Sequence, residues 1–273
     1  MADLTPLELH QMTQDLLHNS ASDRPLISDS ALLSVLREEY ERGSGSFVQQ
    51  IDFLSNIRGF THIRRTRGDG DCFYRSLAFA WISRLLHSKN QTLDVAKAIS
   101  LLDSTLPTLE AAGFEKMVYE DFHDVIVSIV RQIVVPEPSG ATLSPALLLE
   151  AFQDAEVSNC IVVFLRFLTS ATIKTDPDSY LPYLFDPETG DDISLTDFCN
   201  RHVEACGKEA DNVQISALTR ALKLNIEIAY LDGHSADGSV NFVPFQNLPE
   251  SDMPNPPILL YRPGHYDILE KQP

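Results

Sequence analysis

The sequence predicts an α+β fold in which a small, mainly antiparallel sheet is surrounded by helices. Three patterns carry this expectation. From residue 92 to 174 apolar side chains recur at helical spacing, as in Phe122, Ile126, Ile129 and Ile133. Residues 225–231 alternate like a strand, and residues 258–270 read as two strands joined by a tight Pro263-Gly264 turn. Before both blocks, the turn Gly68-Asp69-Gly70-Asp71 runs into a helix with Phe73, Leu77, Trp81 and Leu85. Ala80 and Phe79 fill in that pattern, so the helix is expected to be buried on more than one side.

Composition narrows the class. The 273 residues are 44% hydrophobic and 22% charged, ordinary values for a globular chain of one large domain or two small ones. No apolar run is read as membrane-spanning, and the first residues lack the basic flank and apolar core of a signal peptide. Four cysteines show no paired framework, which suits a cytoplasmic or nuclear setting. The net charge of −18 disfavours nucleic acid and anionic membranes and favours a basic partner, or serves solubility alone.

In chain order, residues 1–30 form a candidate N-terminal arm and 31–273 the body. Thr5-Pro6 caps a short helix carrying Leu9, Met12, Leu16 and Leu17, and residues 20–30 read as a polar linker. The arm either packs on the body or is free to meet a partner. Residues 31–42 and 47–57 are expected helices, separated by Gly43-Ser44-Gly45-Ser46. Arg64, Arg65 and Arg67 are a basic cluster, either a solvated strand face or a positive field on the nearby cysteine. Pro136 to Gly140 is a loop, Ser144 caps a helix with Pro145 in its first turn, and Ser158 opens a core helix in which Cys160 packs. Cys199, His202 and Cys206 raise a metal question, but with Leu195, Phe198 and Val203 they form one apolar stripe, the mark of a core face ended by Gly207. Asp211-Asn212 caps the next helix. Residues 232–247 are expected to be a polar loop whose Phe242 and Phe245 either touch a protein substrate or tuck inward.

The candidate chemistry lies at Cys72 and His265. Cys72 opens its helix, where unpaired N–H groups and the helix dipole favour a thiolate. Gly68 and Gly70 let the backbone pass close to a substrate. On a strand, residues two apart share a face, so Asp267 lies beside His265 while Tyr266 and Ile268 point the other way. A cysteine, a histidine and an acid to hold it are the set for thiolate catalysis. The plainer alternative is a core cysteine beside a turn.

Asp69-Gly70-Asp71-Cys72-Phe73-Tyr74-Arg75 and Tyr261-Arg262-Pro263-Gly264-His265-Tyr266-Asp267-Ile268-Leu269 resemble the nucleophile and histidine boxes of the otubain family, within the ovarian-tumour class of cysteine proteases. Phe164 to Ser170 and Val203 to Asp211 are also similar, and the resemblance covers about residues 45 to 270. It implies a papain-like fold of the ovarian-tumour type and hydrolysis of the isopeptide bond between ubiquitin's C-terminal glycine and a lysine. The implied roles are Cys72 as nucleophile, His265 as base and acid, Asp267 as its orienting partner and Asp69 as a support of the loop. Amides of Gly70, Asp71 and Cys72 are the candidate oxyanion donors, and Phe242, Phe245 and Tyr266 the candidate substrate contacts. No metal or organic cofactor is implied. Expected partners are ubiquitin, polyubiquitin chains of the proteasome-targeting linkage and ubiquitin-conjugating enzymes. Two alternatives stand beside this: a non-catalytic regulator that binds ubiquitin or conjugating enzymes, and a protease for a ubiquitin-like modifier. The family usually has Asn where this chain has Asp71. A carboxylate pointing from there at Cys72 would oppose the thiolate.

Overall fold

The structure is a computed structural model that describes residues 24–41, 43–136, 140–187, 189–235 and 237–271. The expected helix at Leu9 to Leu17 lies outside them. The described chain begins with β1 (Ile27–Leu32), α1 (Leu33–Tyr40), α2 (Gly45–Asn56) and β2 (His62–Thr66). A helical block follows: α3 (Cys72–Leu86), α4 (Gln91–Ala111), α5 (Lys116–Gln132), α6 (Pro145–Gln153) and α7 (Ala155–Thr175). Then come the short α8 (Pro177–Tyr180), a 3-10 turn (Leu181–Tyr183), α9 (Leu195–Phe198) with a π-helical extension (Cys199–Glu204), and α10 (Asn212–Ala221). The strands β3 (Ile226–Tyr230), β4 (Asn241–Phe245), β5 (Ile258–Arg262) and β6 (His265–Glu270) complete the fold.

Among the described residues the strands form one six-stranded sheet in the order β1-β2-β6-β5-β3-β4. Only β3 and β5 pair in parallel, so the sheet is mainly antiparallel. Strand alternation splits its side chains between two cores. Leu259, Tyr266 and Ile268 enter the larger one with α3 to α7, whereas Leu260 and Leu269 enter a smaller one with α1 and α2. β6 lies between β2 and β5, so the histidine strand is an interior strand.

Helix α3 is buried nearly all round, with twelve of its 15 residues inside, which is why its apolar residues cover more than one stripe. Helix α7 corrects two expectations. It starts at Ala155, capped by the Asp154 side chain on the Glu156 and Val157 amides, and not at Ser158. It is also long and apolar enough, with mean hydropathy 1.4, to pass as a membrane span by composition, contrary to the reading that no run reaches that length. Here it is mostly buried and packs against the surrounding helices, so the apolar run serves the core. Ser144 caps α6 through the Leu147 amide with Pro145 in the first turn, as expected.

Two further expectations give way. The linker predicted over 20–30 runs into a strand, because Ile27 inserts into the main core and β1 pairs with β2. The loop predicted over 232–247 contains β4, paired antiparallel with β3. Pro244 disguised it. Proline cannot donate to a ladder, yet an edge strand tolerates it on the outward side.

Candidate active site

Backbone geometry sets the nucleophile turn. Gly70 has φ +81°, a left-handed conformation that favours glycine. A Cβ there would overlap the Gly207 carbonyl, so two backbone segments meet at Gly70 with no room for a side chain. Asp71 then precedes α3, and Cys72 is its first residue, 2% exposed.

Two arginines hold this turn from below. Arg75, fully buried on α3, donates from Nη1 to Asp69 Oδ1 at 3.0 Å and from Nε to Ser158 Oγ at 3.1 Å. Arg166 reaches from α7 under the turn. Its Nε donates to Asp71 Oδ1 at 2.8 Å, and its other nitrogens donate to the Gly70, Val203 and Lys208 carbonyls. Its guanidinium lies over the Tyr74 ring, 4.4 Å from the centroid. Gly207 N also donates to Asp71 Oδ1, at 3.1 Å. The Asp71 carboxylate is therefore turned into a buried arginine and away from the position in which it would oppose a thiolate.

The base comes from the β5–β6 hairpin. Arg262 and His265 are direct cross-strand partners either side of the Pro263-Gly264 turn. His265 Nε2 lies 2.9 Å from Asp267 Oδ1. Asp267 also accepts from the Thr66 amide at 3.0 Å and from Arg262 Nη2 at 2.6 Å. His265 is 1% and Asp267 0% exposed. Burial alone would push the imidazole down, but Asp267 and then Cys72 outweigh it and hold the ring above its ordinary value, at about 9. Burial likewise works against the Asp267 carboxylate, yet His265 and Arg262, with Arg65 beyond them, keep it well below the usual carboxylate range. The ring's other nitrogen, Nδ1, is buried and makes no hydrogen bond. Cys72, His265 and Asp267 thus form one electrostatically linked line, and Nδ1 is the ring nitrogen that Asp267 leaves open.

The other predicted residues fall as follows. Asp69 Oδ1 accepts from the Asp71 amide at 3.0 Å as well as from Arg75, which ties the turn to itself. That bond takes Asp71 N–H out of the set of free oxyanion donors. The Cys72 and Gly70 amides make no hydrogen bond to other described residues. Tyr266 is largely a packing residue: its hydroxyl donates to Ala210 O and its ring meets Phe73 edge-on. Phe242 stacks on Phe60 under Arg58, in the smaller core and apart from this cleft. Phe245 lines a cavity shared with Gly207, Gly264 and Tyr266. Arg64 and Arg65 pair with Glu270 and Glu39, and Arg67 donates to the Arg24 carbonyl, so their face is a half-buried ion-pair surface. Cys199 and His202 are buried, but Cys206 is exposed: the π-helix ends at Glu204 and breaks the expected stripe. Among the described residues no group of three His, Cys, Asp or Glu side chains is placed to hold a metal ion.

Arg75, Arg166 and Arg262 lie within the motif stretches, but the motifs themselves do not show what these arginines hold. Hairpin register signals Arg262, since a two-residue turn sets it opposite His265. Only tertiary packing brings Arg166 to Asp71.

The family model described as Peptidase C65 Otubain matches residues 19–271. Human ubiquitin thioesterase OTUB1 is 34% identical over 251 residues, covering 92% of this chain and 85% of its own. The ovarian tumor domain-containing deubiquitinating enzyme 1 of Arabidopsis thaliana is 34% identical over 263 residues, covering 93% and 83%. A solved complex of h/ceOTUB1 with ubiquitin aldehyde and UBCH5B~Ub aligns with TM-score 0.79 at 27% identity, covering 96% of each chain.

Proposed function

Because this chain belongs to the Peptidase C65 otubain family, we propose that it is a deubiquitinase that hydrolyses the isopeptide bond between ubiquitin's C-terminal glycine and a lysine amine. The observation that carries the reading is the Cys72–His265–Asp267 line, in which Asp267 and Cys72 together raise the pKa of a buried imidazole. Such a ring is an imidazolium at neutral pH and pairs naturally with a thiolate.

In the reaction, Cys72 Sγ attacks the glycine carbonyl and a C–S bond forms. The oxyanion turns to the Cys72 and Gly70 amides, the ones the turn leaves uncommitted. The lysine nitrogen leaves as the C–N bond breaks, and takes the proton from His265 Nδ1. Nε2 is held by Asp267, so Nδ1 is the nitrogen able to deliver it. His265 then removes a proton from water, which attacks the thioester and releases ubiquitin and the Cys72 thiolate.

A ubiquitin C-terminal electrophile tests this. It should label the wild-type chain at Cys72 and leave Cys72→Ala unlabelled. No labelling of wild type would remove the hydrolase reading, and labelling only by a probe built on another modifier would move the substrate class.

We also propose a preference for polyubiquitin of the proteasome-targeting linkage. Such a preference needs two ubiquitin sites flanking Cys72, and residues 1–30, the expected N-terminal arm, are the candidates for the second. A second reading is restraint of ubiquitin-conjugating enzymes. It is favoured by the OTUB1 structural neighbours, which are complexes with UBCH5B~Ub and UBC13~Ub. Retained binding of a charged conjugating enzyme by Cys72→Ala, with inhibition of its chain building, would support that role.

A further inference from the structure

The acid that holds His265 has a second cation behind it. Arg262 and His265 are direct cross-strand partners on β5 and β6, and such partners share a face of the sheet. Asp267, two residues beyond His265, shares that face too. Its carboxylate is divided between them. Oδ1 accepts from His265 Nε2 at 2.9 Å and from the Thr66 amide at 3.0 Å, and Oδ2 accepts from Arg262 Nη2 at 2.6 Å. Arg262 is buried, so salt screens this pair little. Its Nε has no hydrogen-bond partner. Farther out, Arg262 meets Tyr40 of α1 and lies in the field of Glu39. Glu39 is exposed and pairs with Arg65 of β2 at 2.7 Å. Arg65 also acts on Asp267, in the same direction as His265 and Arg262. The ring itself faces Asp267 and Cys72. One buried carboxylate therefore serves His265, Arg262 and Arg65, and it pulls on the ring less than an unshared acid would.

We propose that Arg262 is a positioning residue for His265: by holding Asp267 Oδ2 it aims Oδ1 at the ring and draws off part of the carboxylate's charge, so that the imidazolium can still release its proton. The proposal rests on the deubiquitinase reading and adds the residue that sets how tightly the base holds its proton. Its weight falls on the second half of the reaction. Once Cys72 carries the acyl group it bears no charge, and the ring's hold on its proton is set by Asp267 and the arginines behind it. Deacylation needs a neutral ring to take a proton from water. An acid not shared with Arg262 would hold the imidazolium more tightly, and each further pKa unit would leave about tenfold fewer neutral rings at neutral pH. In acylation the same restraint lets Nδ1 give its proton to the leaving amine. Stability alone is a weak reason for the Arg262–Asp267 pair, since apolar side chains of similar volume often replace a buried ion pair without loss.

The test is Arg262→Gln, which keeps an amide donor for Oδ2 and removes the charge. The background is Cys72→Ala, where no thiol acts on the ring. There the His265 ring is titrated by NMR across about pH 5 to 11, its signal identified by its loss in His265→Asn. Adding Arg262→Gln should raise the midpoint by about one pH unit. In the enzyme that keeps Cys72, Arg262→Gln should slow deacylation about tenfold at pH 7, so that the ubiquitin acyl-enzyme formed from ubiquitin–aminomethylcoumarin accumulates, and the rate should recover as pH rises. Arg262→Lys restores a charge for the single bond at Oδ2 and should return both readings to those of the chain with Arg262. Where Arg262→Gln does not fold, Glu39→Gln takes its place in the titration. It removes an exposed carboxylate that offsets the arginines, and should lower the midpoint by a few tenths of a pH unit. An unmoved midpoint overturns the proposal. So does a fall in Arg262→Gln, which would mean that Asp267 takes up the proton and that Arg262 only keeps it ionised. The titration needs no substrate. If wild type cleaves no ubiquitin conjugate, the deubiquitinase reading fails and the midpoint still decides the part played by Arg262. If ubiquitin is cleaved and the midpoint does not move, only this proposal falls.

Discussion

Asp71 sits next to the nucleophile, and its side-chain bonds from Arg166 Nε, Arg166 Nη2 and Gly207 N all converge on one oxygen, Oδ1. An asparagine oxygen can accept the same three. Asp71→Asn is therefore expected to keep kcat/KM within about threefold, with little change in Tm, because no acceptor is lost. Removing the other partner is different. Arg166→Ala leaves a buried carboxylate and carbonyls unpaired and should cost about 3–5 kcal/mol in urea unfolding. A second expectation concerns His265. Its folded pKa is raised from 6.5 to about 9, so its pairing with Asp267 stabilises the fold fully below pH about 6.5 and is lost as pH rises through about 9. Melting temperature measured from pH 6 to 10 should fall across that window in wild type and stay flatter in Asp267→Asn. The same substitution should lower kcat by orders of magnitude, about 10⁴ in the comparable Ser-His-Asp case, and move the alkaline limb of the rate profile to lower pH. At this scale the sequence was readable where chemistry is local: Cys72 at a helix start, and His265 and Asp267 two apart on a strand. It was silent on Arg166, whose partners lie 37 to 96 positions away.

Elements were legible where period and caps agreed. Helix α10 has its capping box at Asp211 and Gln214, and α6 its Ser-Pro start, both visible as residue types at fixed offsets. β4 was not, since a proline and polar flanks conceal a pairing that only β3 supplies. The π-helix at Cys199–Glu204 was hidden for a related reason: its wider turn keeps Cys199 and His202 buried while shedding Cys206. Two substitutions test how these elements hold the site. Asp154→Ala removes the cap of α7 and should cost about 1 kcal/mol, read by chemical denaturation, with activity retained in the folded fraction. Gly70→Ala combines a left-handed φ with overlap on the Gly207 carbonyl. It should abolish turnover and lower stability by several kcal/mol, on the order of the strain and overpacking limits. Wild-type labelling kinetics in Gly70→Ala would mean that the two segments can part without harm to the site.

The whole molecule carries a net charge of −18, a long-range field that salt screens. Under the deubiquitinase reading, KM for ubiquitin should rise with ionic strength while kcat holds, since steering and encounter are weakened and the buried Cys72–His265–Asp267 line is not. A KM independent of salt between about 50 and 500 mM would remove the acidic surface from recognition. Residues 1–23 precede β1, so a chain lacking them keeps the strand at Ile27. It should cleave a mono-ubiquitin substrate as well as the full chain does and cleave diubiquitin with higher KM. The α+β class was readable from the helical block and the closing hairpin, but the strand order was not: it depends on which distant edges meet.

That order has a consequence for synthesis. β6 carries His265 and Asp267 and is wedged between β5, its near neighbour, and β2, about 200 positions earlier in the chain. A polypeptide emerging from the ribosome exposes the Cys72 helix long before the strand that bears its base. Until β6 inserts, β1 and β2 have no link to the rest of the sheet, and the thiol has neither proton acceptor nor Asp267. Contacts so far apart in sequence form late and slowly. The nascent chain is therefore inert as well as incomplete: the insertion that closes the sheet is the same event that switches on the nucleophile.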